Sequence, residues 1–143
     1  MFGWFKKQKE KKQIKQNLDE LKKMILSINI PEKASKAELD TFYEQVNVWD
    51  RVINEKEMEF NVVMSQLSAA DKIELVKHID KCIGNYGRNM VKLNDTLINY
   101  LEAENILPST KVEIVSFGRS NMAKSDETIE SLKNLAGHIV LNK

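Results

Sequence analysis

Residues 35–67 read SKAELDTFYEQVNVWDRVINEKEMEFNVVMSQL. Within them Leu39, Phe42, Val46, Trp49, Ile53, Phe60, Val63 and Leu67 recur at steps of three and four, with Lys56 in the one place of the series that is not apolar. That spacing lines side chains along one face of an α-helix. Ser35 with Glu38 three residues on has the form of a capping box, the hydroxyl accepting from a first-turn amide and the carboxylate reaching back to the Ser35 amide. The stretch predicts one long amphipathic helix from Ser35 to about Leu67. A helix of about 30 residues with one apolar seam gains most of its stability by packing that seam, so the flanking sequence must supply partner helices.

It does. Upstream, Ile14, Leu18, Leu21, Ile25 and Ile28 define a first helix that is firm from Ile14 and ends at Asn29 and Pro31, where the proline ring and missing amide disfavour continuation. Ile28 and Ile30 are expected to cover the end of the bundle. Downstream, Ser68 with Asp71 marks the next N-terminus, and a tight turn there implies that the second and third helices are antiparallel neighbours. Leu75, Ile79, Cys82, Tyr86, Met90, Leu93, Leu97 and Leu101 form the third apolar line. Gly84 and Gly87 interrupt it at roughly 1 kcal/mol each relative to Ala, yet the phase continues through them, so one helix with a close crossing is expected. After a loop over Asn105–Ser109, Thr110 with Glu113 predicts the last cap. The final seam runs through Val112, Val115, Met122, Ile129, Leu132, Ala136 and Ile139, staying in phase across its weak middle if Gly118 and Ser125 occupy seam positions. No stretch carries the alternation of a strand. The fold expected is all-α, an antiparallel up-down-up-down four-helix bundle with long helices in coiled-coil-like packing, on the order of 45 Å long. Residues 14–143 form the bundle domain and 1–13 a basic aromatic tip, with Leu39, Val46, Trp49, Ile53, Ile79, Leu97 and Leu132 in the core.

A chain of 143 residues, 42% hydrophobic and 30% charged, has the balance of one folded domain rather than of a disordered segment. No run approaches the roughly 20 apolar residues that span a bilayer, and the opening aromatics give way at Lys6 and Lys7 rather than leading into the apolar core of a secretory signal. With a single cysteine, Cys82, these features point to a reducing, cytoplasmic setting, which includes the inner face of the membrane. Charge is unevenly spread. In residues 1–15 six lysines against Glu10 give +5, and the remaining sixteen cations against twenty acids give −4.

Bundles often house metals, but a di-iron site needs inward carboxylates with Glu-x-x-His on two helices. Neither His78 nor His138 has an acid three residues before it. Glu74 and His78, one turn apart, read as a solvated ion pair. Zinc needs more Cys and His than Cys82, His78 and His138 supply, and haem attachment through Cys-x-x-Cys-His is ruled out. Cys82 sits on the apolar line and reads as a small core residue rather than a nucleophile. Gly84-Asn-Tyr-Gly87 lies within a helix and lacks the Gly-Lys-Ser/Thr of a phosphate loop. Lys56 is expected to snorkel from the seam. No catalytic pair, cofactor or metal site is expected, and enzymatic activity is not.

The tip is the exception to what a bundle requires. Phe2, Trp4 and Phe5 beside Lys6, Lys7, Lys9, Lys11 and Lys12 suit an anionic membrane surface, where rings sit at headgroup depth and each lysine contributes about 1 kcal/mol. The plainer alternative folds the rings back onto the bundle and leaves the lysines solvated. Nucleic acid ranks last as a partner, because one short basic arm on an acidic body lacks a recognition element. Two functions are expected in order: a non-enzymatic helical protein-interaction module, an adaptor or inhibitor that binds another protein through a helical face, and a peripheral membrane protein tethered by its N-terminal segment. The wide third stripe beside a weakly covering fourth helix favours a homodimer over a monomer.

Overall fold

A computed structural model describes residues 16–141, and these are all-helical, with no strand among them. Helix α1 is described over residues 16–27, followed by α2 (Lys36–Glu55), α3 (Glu57–Ser65), α4 (Ala69–Glu102) and α5 (Pro108–Leu141). The start of α2 is as the sequence implies: the Ser35 hydroxyl accepts from the Glu38 amide, and the Glu38 carboxylate accepts from the Ser35 amide. At α4 the Ser68 hydroxyl accepts from the Asp71 amide.

The single helix expected over 35–67 is two. The break falls on Lys56, whose φ of −119° and ψ of 35° leave the helical region while its amide still donates to the Val52 carbonyl. Lys56 holds the one seam position with nothing apolar to bury, and it is exposed with Asn54, Glu55 and Glu57 around it. No packing energy opposes a bend at that place. The bend also re-aims α3, so that Met64 enters the core while Phe60 and Val63 are only half-buried. Lys56 therefore does not snorkel from a continuous seam; it marks the seam's interruption.

By contrast α4 and α5 are each continuous through Gly84–Gly87 and Ser125. The last helix begins earlier than the Thr110 cap predicts. Pro108 opens it, its lack of an amide costing nothing at the first helical position, and the Lys111 amide donates to the Leu107 carbonyl. The closest backbone approaches are those of α5 to α4 and to α2 rather than of α2 to α4. Those two meet instead through side chains in the middle, the Phe42 and Tyr86 rings lying 5.2 Å apart. Leu39, Val46, Ile53, Ile79 and Leu132 are in the core as expected; Trp49 and Leu97 are half-buried.

The connection between α1 and α2 is fastened to α4 by two buried carboxamides. Asn85 donates to the Ile30 carbonyl at 3.1 Å, and its oxygen accepts from the Arg88 guanidinium at 2.6 Å. Asn89 donates to the carbonyls of Pro31 and Glu32 and accepts from the Ala34 amide at 3.0 Å. With their polar backbone so satisfied, Ile28 and Ile30 can be fully buried at the end of the core. The core stops here: no buried residue lies beyond Met90 in α4 or before Asn121 in α5 among the described residues. Lys36 at the start of α2 reaches Asn121 and the Phe117 ring, and the recess beside it is bounded by Leu93 and Thr96 of α4. Past that level α4 and α5 run on as a pair for about 9 Å.

Replacing Asn89 by Leu strands two carbonyls and one amide. At about 1 to 3 kcal/mol for a buried unsatisfied group, Asn89→Leu is expected to lose at least 2 kcal/mol in urea unfolding; a loss below about 0.5 kcal/mol would show that water replaces the clamp.

Candidate functional site

The residues that the sequence singles out for an anionic partner, Phe2, Trp4, Phe5, Lys6, Lys7, Lys9, Lys11 and Lys12, lie outside the described residues. Three places within the described residues carry chemistry or shape. The first is a histidine and a cysteine on one face of α4. His78 does not form the ion pair with Glu74 that its spacing suggests; its Nε2 donates to the Ile28 carbonyl at 2.6 Å. Cys82 Sγ donates to the same oxygen at 3.3 Å and lies 3.7 Å from His78 Nε2. Because that nitrogen spends its proton on Ile28, it is not a base available to the thiol. Burial pushes the Cys82 thiol above its ordinary value of 9.0, outweighing the lowering by the Ile30 backbone and Lys81. A thiol 2% exposed and held protonated is a structural group, not a nucleophile. Among the described residues, no three His, Cys, Asp or Glu side chains gather around a common point that could hold a metal ion.

The second place is a groove of about 610 Å³ opened by the bend at Lys56. Leu21 and Met24 of α1, Trp49 and Val52 of α2 and Phe60 and Val63 of α3 line it, with Glu20, Glu59 and Lys56 at its polar edge. Trp49 is half-buried because its ring forms one wall of this groove instead of filling the core.

The third is the projecting α4–α5 pair. Leu97 and Gly118 face each other across it, with room for ordinary contact between them. Leu107 is 68% and Val112 69% exposed there, with Tyr100 and Val115 exposed as well, while Phe117 lies on the other face of α5 beneath the Lys36 ammonium. Glu102, Glu104 and Glu113 are exposed in the same part of the chain. The apolar period alone places Val112, Val115 and Met122 in a seam; all three are exposed. The reason shows only in the structure, where α4 and α5 extend past the level at which α2 begins. Of these three places the pair's end has the largest exposed apolar side chains and no chemistry of its own.

No protein-family model, no curated protein and no solved structure matches the chain. Among the described residues no helix is long and apolar enough to cross a membrane.

Tyr86, like Cys82, is held protonated by burial, with Asp40 and Tyr43 adding to the upward shift from 10.0 and the Thr128 hydroxyl opposing it. Both groups bind their proton more tightly folded than unfolded, so the stability they contribute is complete below about pH 9 and is lost as pH rises through their raised folded values. Thermal melts by circular dichroism are expected to show a midpoint falling steadily above about pH 9. In Cys82→Ala the fall should begin about one pH unit later, and a midpoint indifferent to alkali would contradict the burial of both groups.

Proposed function

We propose that the chain is a non-enzymatic protein-interaction module, an antiparallel up-down-up-down bundle of long helices that presents the end of its last helical pair to another protein. The observation that supports this reading is the exposure of Tyr100, Leu107, Val112 and Val115 on a part of α4 and α5 that lies beyond the core. Large side chains exposed together cost solvation free energy unless a partner covers them, at about 25 cal/mol per Å² of apolar surface. The exposed Glu102, Glu104 and Glu113 supply polar surface in the same part of the chain, as the edge of a binding patch requires, and an adaptor or inhibitor needs nothing more than such a face. The expected location is the cytoplasm.

A photo-crosslinking residue placed at Val112 in the native host is expected to trap one defined protein, and the same group at exposed Lys133 is expected not to. Leu107→Asp with Val115→Asp should abolish that adduct and leave the melting temperature nearly unchanged, since neither side chain is in the core. Equal labelling from both positions would reject the reading.

A second reading is favoured by the net +5 of residues 1–15 and by the three rings among them: a peripheral protein tethered to an anionic leaflet. Trp4 and Trp49 are the two tryptophans, so Trp49→Phe leaves Trp4 as the sole reporter. A blue shift of its emission on adding vesicles rich in anionic lipid, weakened by salt, is the expected result; emission that ignores the vesicles would sink the tether.

A further inference from the structure

Helix α4 carries a second repeat on the side turned away from the core. Ile73, Gly84, Gly87, Val91 and Ile98 lie on one outward line, with Lys77, Asp80 and Asn94 in the intervening places, and the whole series steps by four and three. This is the period that lets one helix lie along another. None of it serves the core: Ile73, Val91 and Ile98 are each about half exposed. Gly84 has a reason within the chain, since the Arg88 guanidinium folds across it to reach Asn85. Gly87 has none, because a Cβ there would meet nothing within 4 Å. Glycine is a poor residue for the middle of a helix, and at 87 nothing among the described residues makes its lack of a side chain useful.

The line is also symmetric about its centre. Ile73 stands eleven residues before Gly84, and Ile98 eleven after Gly87. A two-fold axis passing between the glycines, with the helices antiparallel, sets Gly84 against Gly87 of the second copy and Ile73 against Ile98 of the second copy. It sets Lys77 against Asn94 and its neighbour Asp95, and Asp80 against Val91 with Arg88 one turn away. Asn94 needs a partner: its Oδ1 is buried without a hydrogen-bond partner in the single chain, and turning the carboxamide over brings that oxygen to the surface where the lysine arrives. From Ile73 to Ile98 the helix measures about 38 Å, and with α5 beside it the face is about 20 Å wide. That is on the order of 800 Å² for each copy, the size of one side of a stable interface.

We propose that two copies of the chain pair through this face of α4, antiparallel, about an axis between Gly84 and Gly87, in the isologous manner of a two-fold dimer. The contact leaves the end of the α4–α5 pair free, so it stands or falls separately from the interaction module.

Sedimentation of the full chain at micromolar concentration is expected to give twice the 16.5 kDa of one copy. Gly87→Leu fits the single chain and favours its helix, so this variant should melt higher as a monomer while failing to dimerise. Disulfide trapping then fixes the register. In a Cys82→Ala background, a mixture of Ile73→Cys and Ile98→Cys chains should oxidise to a crosslinked dimer, and neither chain alone should. A monomer mass for the unaltered chain, a Gly87→Leu variant that dimerises as well as its parent, or a crosslink from Ile98→Cys alone would each overturn the proposal.

Discussion

Asn85 and Asn89 hold the eight residues between α1 and α2 against α4, and most of the architecture depends on that attachment. A connection that crosses the end of a core brings unpaired carbonyls and amides with it, and burying them costs more than the apolar side chains return unless each finds a partner. The two carboxamides, one turn apart on α4, supply donors and an acceptor at the spacing at which Ile30, Pro31, Glu32 and Ala34 present theirs. Ile28 and Ile30 can then close the core, with His78 and Cys82 both donating to the Ile28 carbonyl. Because α1 ends and α2 begins at this level, α4 and α5 outrun them.

Elsewhere the interior is arranged around α5, which lies against both α4 and α2. Its middle is poor in large apolar residues, and the polar residues buried there are paired only in part, since Asn121 Nδ2 has no hydrogen-bond partner among the described residues. The Thr128 hydroxyl donates to the Lys124 carbonyl one turn back at 2.7 Å, and Asn121 accepts from Lys36 of α2. Small side chains let α5 come close where Phe42 and Tyr86 fill the centre from α2 and α4. The cost is limited cover on its far side, where Val115, Met122 and Val140 remain exposed.

The surfaces with most to offer a partner are therefore consequences of mismatched lengths and phases. The groove at Trp49 exists because Lys56 interrupts a seam that is otherwise regular. The exposed pair exists because two helices of 34 residues are matched against shorter ones. The outward line on α4 exists because its stripe of apolar and small residues is wider than one chain can cover. Each offers apolar or charged surface that a partner could cover.

The sequence by itself determined the helical class, the caps at Ser35 and Ser68, the end of the first helix before Pro31, and the core positions Leu39, Val46, Ile53, Ile79, Cys82 and Leu132, because these depend on a period of 3.6 residues and on hydrogen bonds three residues apart. It also placed Gly118 correctly, opposite the third helix. Tertiary structure decided what depends on residues distant in the chain. Whether a periodic apolar residue is buried depends on a neighbour being present at that height, so Val112 and Met122 had the right period and no cover, and Leu97 found only Gly118. Lys56 was legible as an irregularity, but whether it would snorkel or bend the helix depended on what packed beside it. Asn85, Asn89 and His78 looked like ordinary polar residues on a helix, since their partners are carbonyls at least fifty positions away, and no local pattern encodes a bond made only once the chain has folded back on itself.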